Sequence, residues 1–184
     1  MHISSPDPVR LTAMRRIIAA LALAAVLATL EAPRAWAQEP VGCDKFKWDV
    51  ARERAMLSRA DAPKLASGSD LTATLSQAVV LDLQSQADAK LPSPPERAQK
   101  PGTFAGFATV DVSPGTYSIS LSAAAWIDVL QNGNFLKPKA FSGVTGCDGI
   151  RKIVKFDLAA GPAIIQLSGV AESTIKMTIL PVAE

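Results

Sequence analysis

Three sets of residues have types and spacing that could do chemistry. Cys147 stands in VTGCDGIRK beside Asp148, Arg151 and Lys152, and a second Gly-Cys-Asp lies at 42–44. A thiol close to cations has a lowered pKa and is a candidate nucleophile. Two cysteines in an oxidising compartment are instead a candidate disulfide, Cys43 to Cys147. Trp126 and Asp128 flank Ile127, and an aromatic face beside an acid can stack on a sugar and hold its hydroxyls. Trp48-Asp49 repeats the pairing nearer the N-terminus, where Trp48 also suits packing of a helix on a sheet. Asp128, Asn132 and Asn134 have the oxygens of a calcium site but not its acidic density. Asp111 and Asp157 would be the pair for a carboxylate hydrolase.

One residue type is nearly missing. His2 is the only histidine, and it belongs to a stretch that reads as a leader. Arg15 and Arg16 precede the apolar run Ile17 to Leu30, too short for a bilayer span and right for a signal-peptide core. Ala35-Trp36-Ala37 presents small residues where a signal peptidase reads, so cleavage is expected between Ala37 and Gln38. Residues 1–37 are thus the expected signal peptide, with Met14 as an alternative start, and 38–184 one secreted domain. The mature chain then has no histidine, which excludes a Ser-His-Asp triad, a Cys-His pair and the usual histidine metal sites. Four of 19 basic and two of 17 acidic residues leave with the leader. Charge is then balanced, and no basic field remains to attract nucleic acid or acidic lipid. No membrane span is expected after cleavage, and no cofactor is implied. In the compartment reached by secretion the even cysteine count favours the disulfide. It would close a loop of 104 positions, stabilising by about 4.7 kcal/mol in the chain-entropy model.

These residues must be positioned by the elements around them. The spacing of Trp48, Ala51 and Ala55 predicts a short helix within 46–57, with Arg52, Glu53 and Arg54 in water. Residues 59–70 read as a loop, 77–84 as a strand, and the proline-rich 91–102 as a surface loop. Beyond it, alternation is strong. Tyr117, Ile119 and Leu121 interleave with serines 118, 120 and 122; Val154, Phe156 and Leu158 with Lys155 and Asp157; Ile175, Met177 and Ile179 with Thr174, Lys176 and Thr178. Such period-2 patterns predict strands with one wet face. Asn132-Gly133 predicts a tight hairpin after WIDVL. VDVSPGTYSISLS at 110–122 echoes FDLAAGPAIIQLS at 156–168, which predicts two equivalent hairpins, each turning at a glycine of positive φ. Asp111 and Asp157 then hold equivalent outward positions, explained as solvated strand residues or turn formers. Arg151, Lys152 and Lys155 read as a solvated strand end. The fold class expected is all-β, an antiparallel β-sandwich, jelly-roll-like or alternatively Ig-like, with a short N-terminal helix.

Strand parity leaves Trp126 and Asp128 open. If Ile127 and Val129 face the core, the pair is exposed as a binding surface; if Trp126 is core, Asp128 points inward and needs partners.

GTYSISLSAAAWIDVLQNG, CDGIRKIVKFDLAAGPAIIQLSG and FKWDV resemble a family of short secreted proteobacterial proteins over most of 43–180. Some of its members carry the name homogentisate 1,2-dioxygenase. The glycine-tyrosine segment is similar, more distantly, to pre-peptidase C-terminal-type β-sandwich modules, appendages of secreted enzymes. The dioxygenase name implies histidine and glutamate iron ligands, and no such ligand carries over to a chain with no mature histidine. The expectation is therefore a periplasmic or extracellular binding or accessory module without catalysis, taking a glycan or an envelope protein through a surface of Trp126, Asp128 and Trp48. The enzyme alternatives are the dioxygenase of the family name and a carboxylate hydrolase joining Asp128, Asp148 and Asp111.

Overall fold

The computed structural model describes residues 39–182; the expected leader and its cleavage site at Ala37 and Gln38 lie outside them. The all-β sandwich forms as expected. A six-stranded sheet has the order β1 (Lys64–Ala66), β2 (Ala78–Asp82), β11 (Thr174–Pro181), β5 (Gly115–Leu121), β9 (Lys152–Leu158), β8 (Ala140–Gly143). A five-stranded sheet has the order β3 (Gln84–Ser85), β4 (Phe104–Val112), β10 (Gly161–Val170), β6 (Trp126–Gln131), β7 (Asn134–Phe135). Every pairing is antiparallel except β1 with β2. Of that parallel pair, β2 falls within the expected strand 77–84, whereas β1 lies in the stretch 59–70 read as a loop, where KLA carries too little pattern to announce a strand.

The core follows from alternation. Ile119, Leu121, Phe156, Ile165, Leu167, Ile175 and Met177 are fully buried between the sheets. At about 25 cal/mol per Å² of apolar surface removed from water, each contributes roughly 1.5–3 kcal/mol.

The echoed segments do not form hairpins. Each crosses from one sheet to the other: β4 in the five-stranded sheet leads to β5 in the six-stranded one, and β9 to β10 crosses back. The two arches pair with each other about a local pseudo-twofold. Val112 lies opposite Gly161 and Leu158 opposite Gly115, the same pair under the 46-residue offset. Only Gly161 uses a left-handed φ, at 110°, whereas Gly115 does not. The first arch is closed instead by Tyr117, whose hydroxyl donates to the Ser113 carbonyl at 3.0 Å. The Asn132-Gly133 turn has φ of 53° and 75° at its two residues, the type I′ signature expected.

Two further differences concern the outer face of the six-stranded sheet. The expected wet residues Ser118, Ser120 and Thr178 are buried there. They are covered because the N-terminal segment lies over that face: the helix α1 (Ala51–Leu57) packs against β2 and β11. Small residues in one row, Ala78, Thr178 and Ser120, allow the close approach. The helix also begins later than 46 and buries a different stripe. Val50 and Leu57 are buried, Ala51 and Ala55 exposed, and Glu53 only half-exposed. Phe46, Val50, Leu57, Val144, Ile150 and Ile153 form a second small core. Cys43 and Cys147 close a disulfide beside it, and Gly42 and Thr145 add backbone hydrogen bonds between the same two segments.

Candidate functional site

Trp126 opens β6, and its parity is set by its neighbours. Ile127 and Val129 point into the core, so Trp126 and Asp128 lie on the outer face of the five-stranded sheet. They do not share the same fate. Trp126 is half-buried, whereas Asp128 is only 3% exposed. The cover is the proline-rich segment, a surface loop that lies on this face as a strap. Asp128 accepts the Glu96 peptide N–H at 3.2 Å and the Trp126 indole N–H at 2.6 Å. Gln166, opposite Asp128 on β10, donates to the Ser93 carbonyl at 3.1 Å and accepts the Ser93 N–H at 2.8 Å. Gly169 makes room for the strap's return, since a Cβ there would meet the Gln99 amide oxygen at 2.5 Å.

The indole is flanked by cations. The Arg97 guanidinium stands 5.3 Å and the Lys152 ammonium 5.4 Å from the ring centroid, within cation–π range. Lys152 is not a solvated strand end. It reaches across the end of the sandwich to donate to the Ala125 carbonyl at 2.9 Å. Burial, aided by repulsion from Arg151 and Arg97, holds its ammonium below the ordinary lysine pKa. Arg151 is itself paired with Glu39. Burial likewise pushes the Asp128 carboxyl above the ordinary carboxylate value, against the two hydrogen bonds that favour its charge.

The remaining sequence candidates are dispersed. Trp48 lies against the second core, its ring capped by the Lys155 ammonium at 4.2 Å and its indole N–H buried without a partner. It therefore belongs to the opposite sheet and forms no common surface with Trp126. Asp157 accepts from Thr116 and pairs with Lys139 at 2.9 Å, which lowers its carboxyl pKa. Asp111 is exposed on β4 opposite Pro162, and Asp148 is exposed in the β8–β9 connection, its carbonyl accepting from Arg54 at 2.8 Å. Asp111, Asp128 and Asp148 thus occupy three separate places, without the shared cleft a two-carboxylate hydrolase needs. Asn134 is spent on the turn, donating to the Asn132 carbonyl. Among the described residues no group of three or more histidine, cysteine, aspartate or glutamate side chains could hold a metal. The crevice lined by Leu71, Leu75, Val79 and Met177 encloses about 10 Å³, room for one water at most.

Gln166, Glu96 and Arg97 escape sequence reasoning. Gln166 reads as an ordinary wet-face residue within AIIQLS, and only the strap above it makes its amide a clamp. The one available signal is the density of prolines at 92, 94 and 95, which fixes an extended segment without saying where it lies.

Comparison with protein-family models, curated proteins and solved structures finds no match for this chain.

Proposed function

We propose that this chain is a secreted, non-catalytic binding or accessory module of the bacterial envelope, taking a glycan or a protein partner at the Trp126 end of the five-stranded sheet. The observation that carries the reading is the indole itself. It is half-buried, held by Asp128 through its N–H, and flanked by Arg97 and Lys152. A ring fixed in advance loses little entropy when a ligand stacks on the part of it that solvent reaches. The closed disulfide suits an oxidising compartment, and no helix among the described residues is long and apolar enough to cross a membrane. The disulfide agrees with export through the leader read from the sequence.

The test is retention of the mature protein on glycan arrays and on immobilised envelope extract, with Trp126→Ala in parallel. A ligand held by the native protein and lost by the variant is expected. Equal retention of both, or none by either, overturns the reading.

A further inference from the structure

We propose that the outer face of the five-stranded sheet is a docking site for an extended, proline-rich segment of a partner protein, and that the chain's own residues 91–97 occupy it in cis. This rests on the binding-module reading and gives it a ligand class and a gate. The match between strap and sheet is one of backbone chemistry. Pro92, Pro94 and Pro95 have no N–H to donate, so the stretch 91–96 offers only three. Leu91 donates to the Ala89 carbonyl, Ser93 to Gln166 and Glu96 to Asp128. No donor in the stretch is left over. The Ser93 carbonyl is also taken, by the Gln166 amide.

The side chains of the strap are read hardly at all. Leu91, Ser93 and Pro95 are half-buried while Pro92, Pro94 and Glu96 are exposed, the alternation of an extended peptide laid along a surface. Recognition through the backbone admits any segment of the same shape, and prolines pre-order that shape at low entropic cost. Arg97 then sets a cation over Trp126, which places a basic residue two positions after the last proline of a fitting ligand.

The floor beneath supports a role beyond holding a loop. Asp128, Gln166 and Ser168 are each at most 3% exposed, and the Ser168 hydroxyl has no partner. A purely structural loop is held more cheaply by apolar side chains than by a buried carboxylate that its surroundings disfavour. Trp126 continues the same face at the end of the strap, half-buried beside Arg97, and its accessible edge gives an incoming segment a first foothold. The tethered strap competes at an effective concentration on the order of millimolar, so a partner enters where the strap has been lifted.

The experiment replaces residues 91–100 by a glycine-serine segment of equal length. Near-ultraviolet circular dichroism and thiol titration check the fold. The probe is the synthetic peptide LPSPPERAQK, followed by Trp126 fluorescence and calorimetry. Saturable binding to the opened variant is expected. It should weaken roughly ten- to a hundredfold with Gln166→Ala, or with a peptide N-methylated at the Ser93 equivalent, the effect of one or two hydrogen bonds. The intact protein should bind the peptide at least about tenfold more weakly than the opened one. No binding by a folded opened variant, binding indifferent to both changes, or equal binding by the intact chain overturns the proposal. In each case retention of a ligand through Trp126 would leave the module reading standing. Should the opened variant not fold, the intact chain carrying Gln166→Ala serves. Amide exchange at Ser93 and tryptic cleavage after Arg97 should accelerate while β10 stays protected, and unchanged rates overturn the proposal.

Discussion

Removing the disulfide by Cys43→Ser with Cys147→Ser should lower stability by about 4.7 kcal/mol, the loop-closure entropy for the 104-residue separation. The structure gives two reasons why nearly the full amount should appear. The closed loop contains β1 to β8, so cutting it frees most of the unfolded chain. The native state, by contrast, keeps its geometry. Gly42 still donates to the Thr145 carbonyl, Thr145 to the Pro40 carbonyl, both at 2.8 Å, and the second core still holds Phe46, Val50 and Leu57. With a urea m-value of about 2 kcal/mol/M, the midpoint should fall by roughly 2 M. The assay is equilibrium urea unfolding of the mature protein, followed separately through Trp48 and Trp126 by single-tryptophan variants. Both reporters should move together. A midpoint shift below about 0.5 M would mean that the bond adds little beyond the contacts beside it. Loss of the Trp48 signal well before that of Trp126 would refute the reasoning differently, by showing that the N-terminal segment frays alone once unbonded.

Three other outcomes are expected. The Asp128 carboxyl is raised by burial, so the folded state favours its protonated form. Its stabilising contribution is complete below the ordinary value of 3.8 and is lost as pH rises through the raised one. Asp128→Asn should therefore show a Tm that falls less than the native protein's over that rise, and parallel curves would contradict the burial. Ser120→Ala and Thr178→Val remove buried hydroxyls with no partner, so each should raise stability by about 1 kcal/mol in urea melts; a loss of that size would show that the hydroxyls are satisfied in solution. Gly161→Ala should cost about 1–3 kcal/mol for its positive φ, with no steric contribution, whereas Gly115→Ala should lie within about 0.5 kcal/mol of neutral. Equal costs would mean that the two arches turn alike.

How much of this could be read in advance depended on how local the cause was. Tyr117-Ile119-Leu121 and Ile175-Met177-Ile179 declare strands because alternation is a property of the segment itself. Asn132-Gly133 declares its turn for the same reason. The serines between Tyr117 and Leu121 misled, since polarity marks a wet face only when nothing covers it. At the candidate site Trp126 and Asp128 are legible as a pair, but the pattern of WIDVL does not fix their parity. Gln166 was not legible at all, because its partner is the backbone of Ser93, 73 residues away.

The sequence by itself determined the longer strands, the core face of β5, β9 and β11, the sandwich class and the pairing of its two cysteines. These follow from periodicity and residue chemistry summed over short windows. Only the tertiary structure decided that the echoed segments are interlocked arches, that α1 covers one sheet, and that a proline strap covers the other. Those outcomes depend on which buried rows are small enough to admit a neighbour, and on which backbone donors remain for a side chain to meet. Both are set by residues far apart in the chain, as the strap over Asp128 and Gln166 shows.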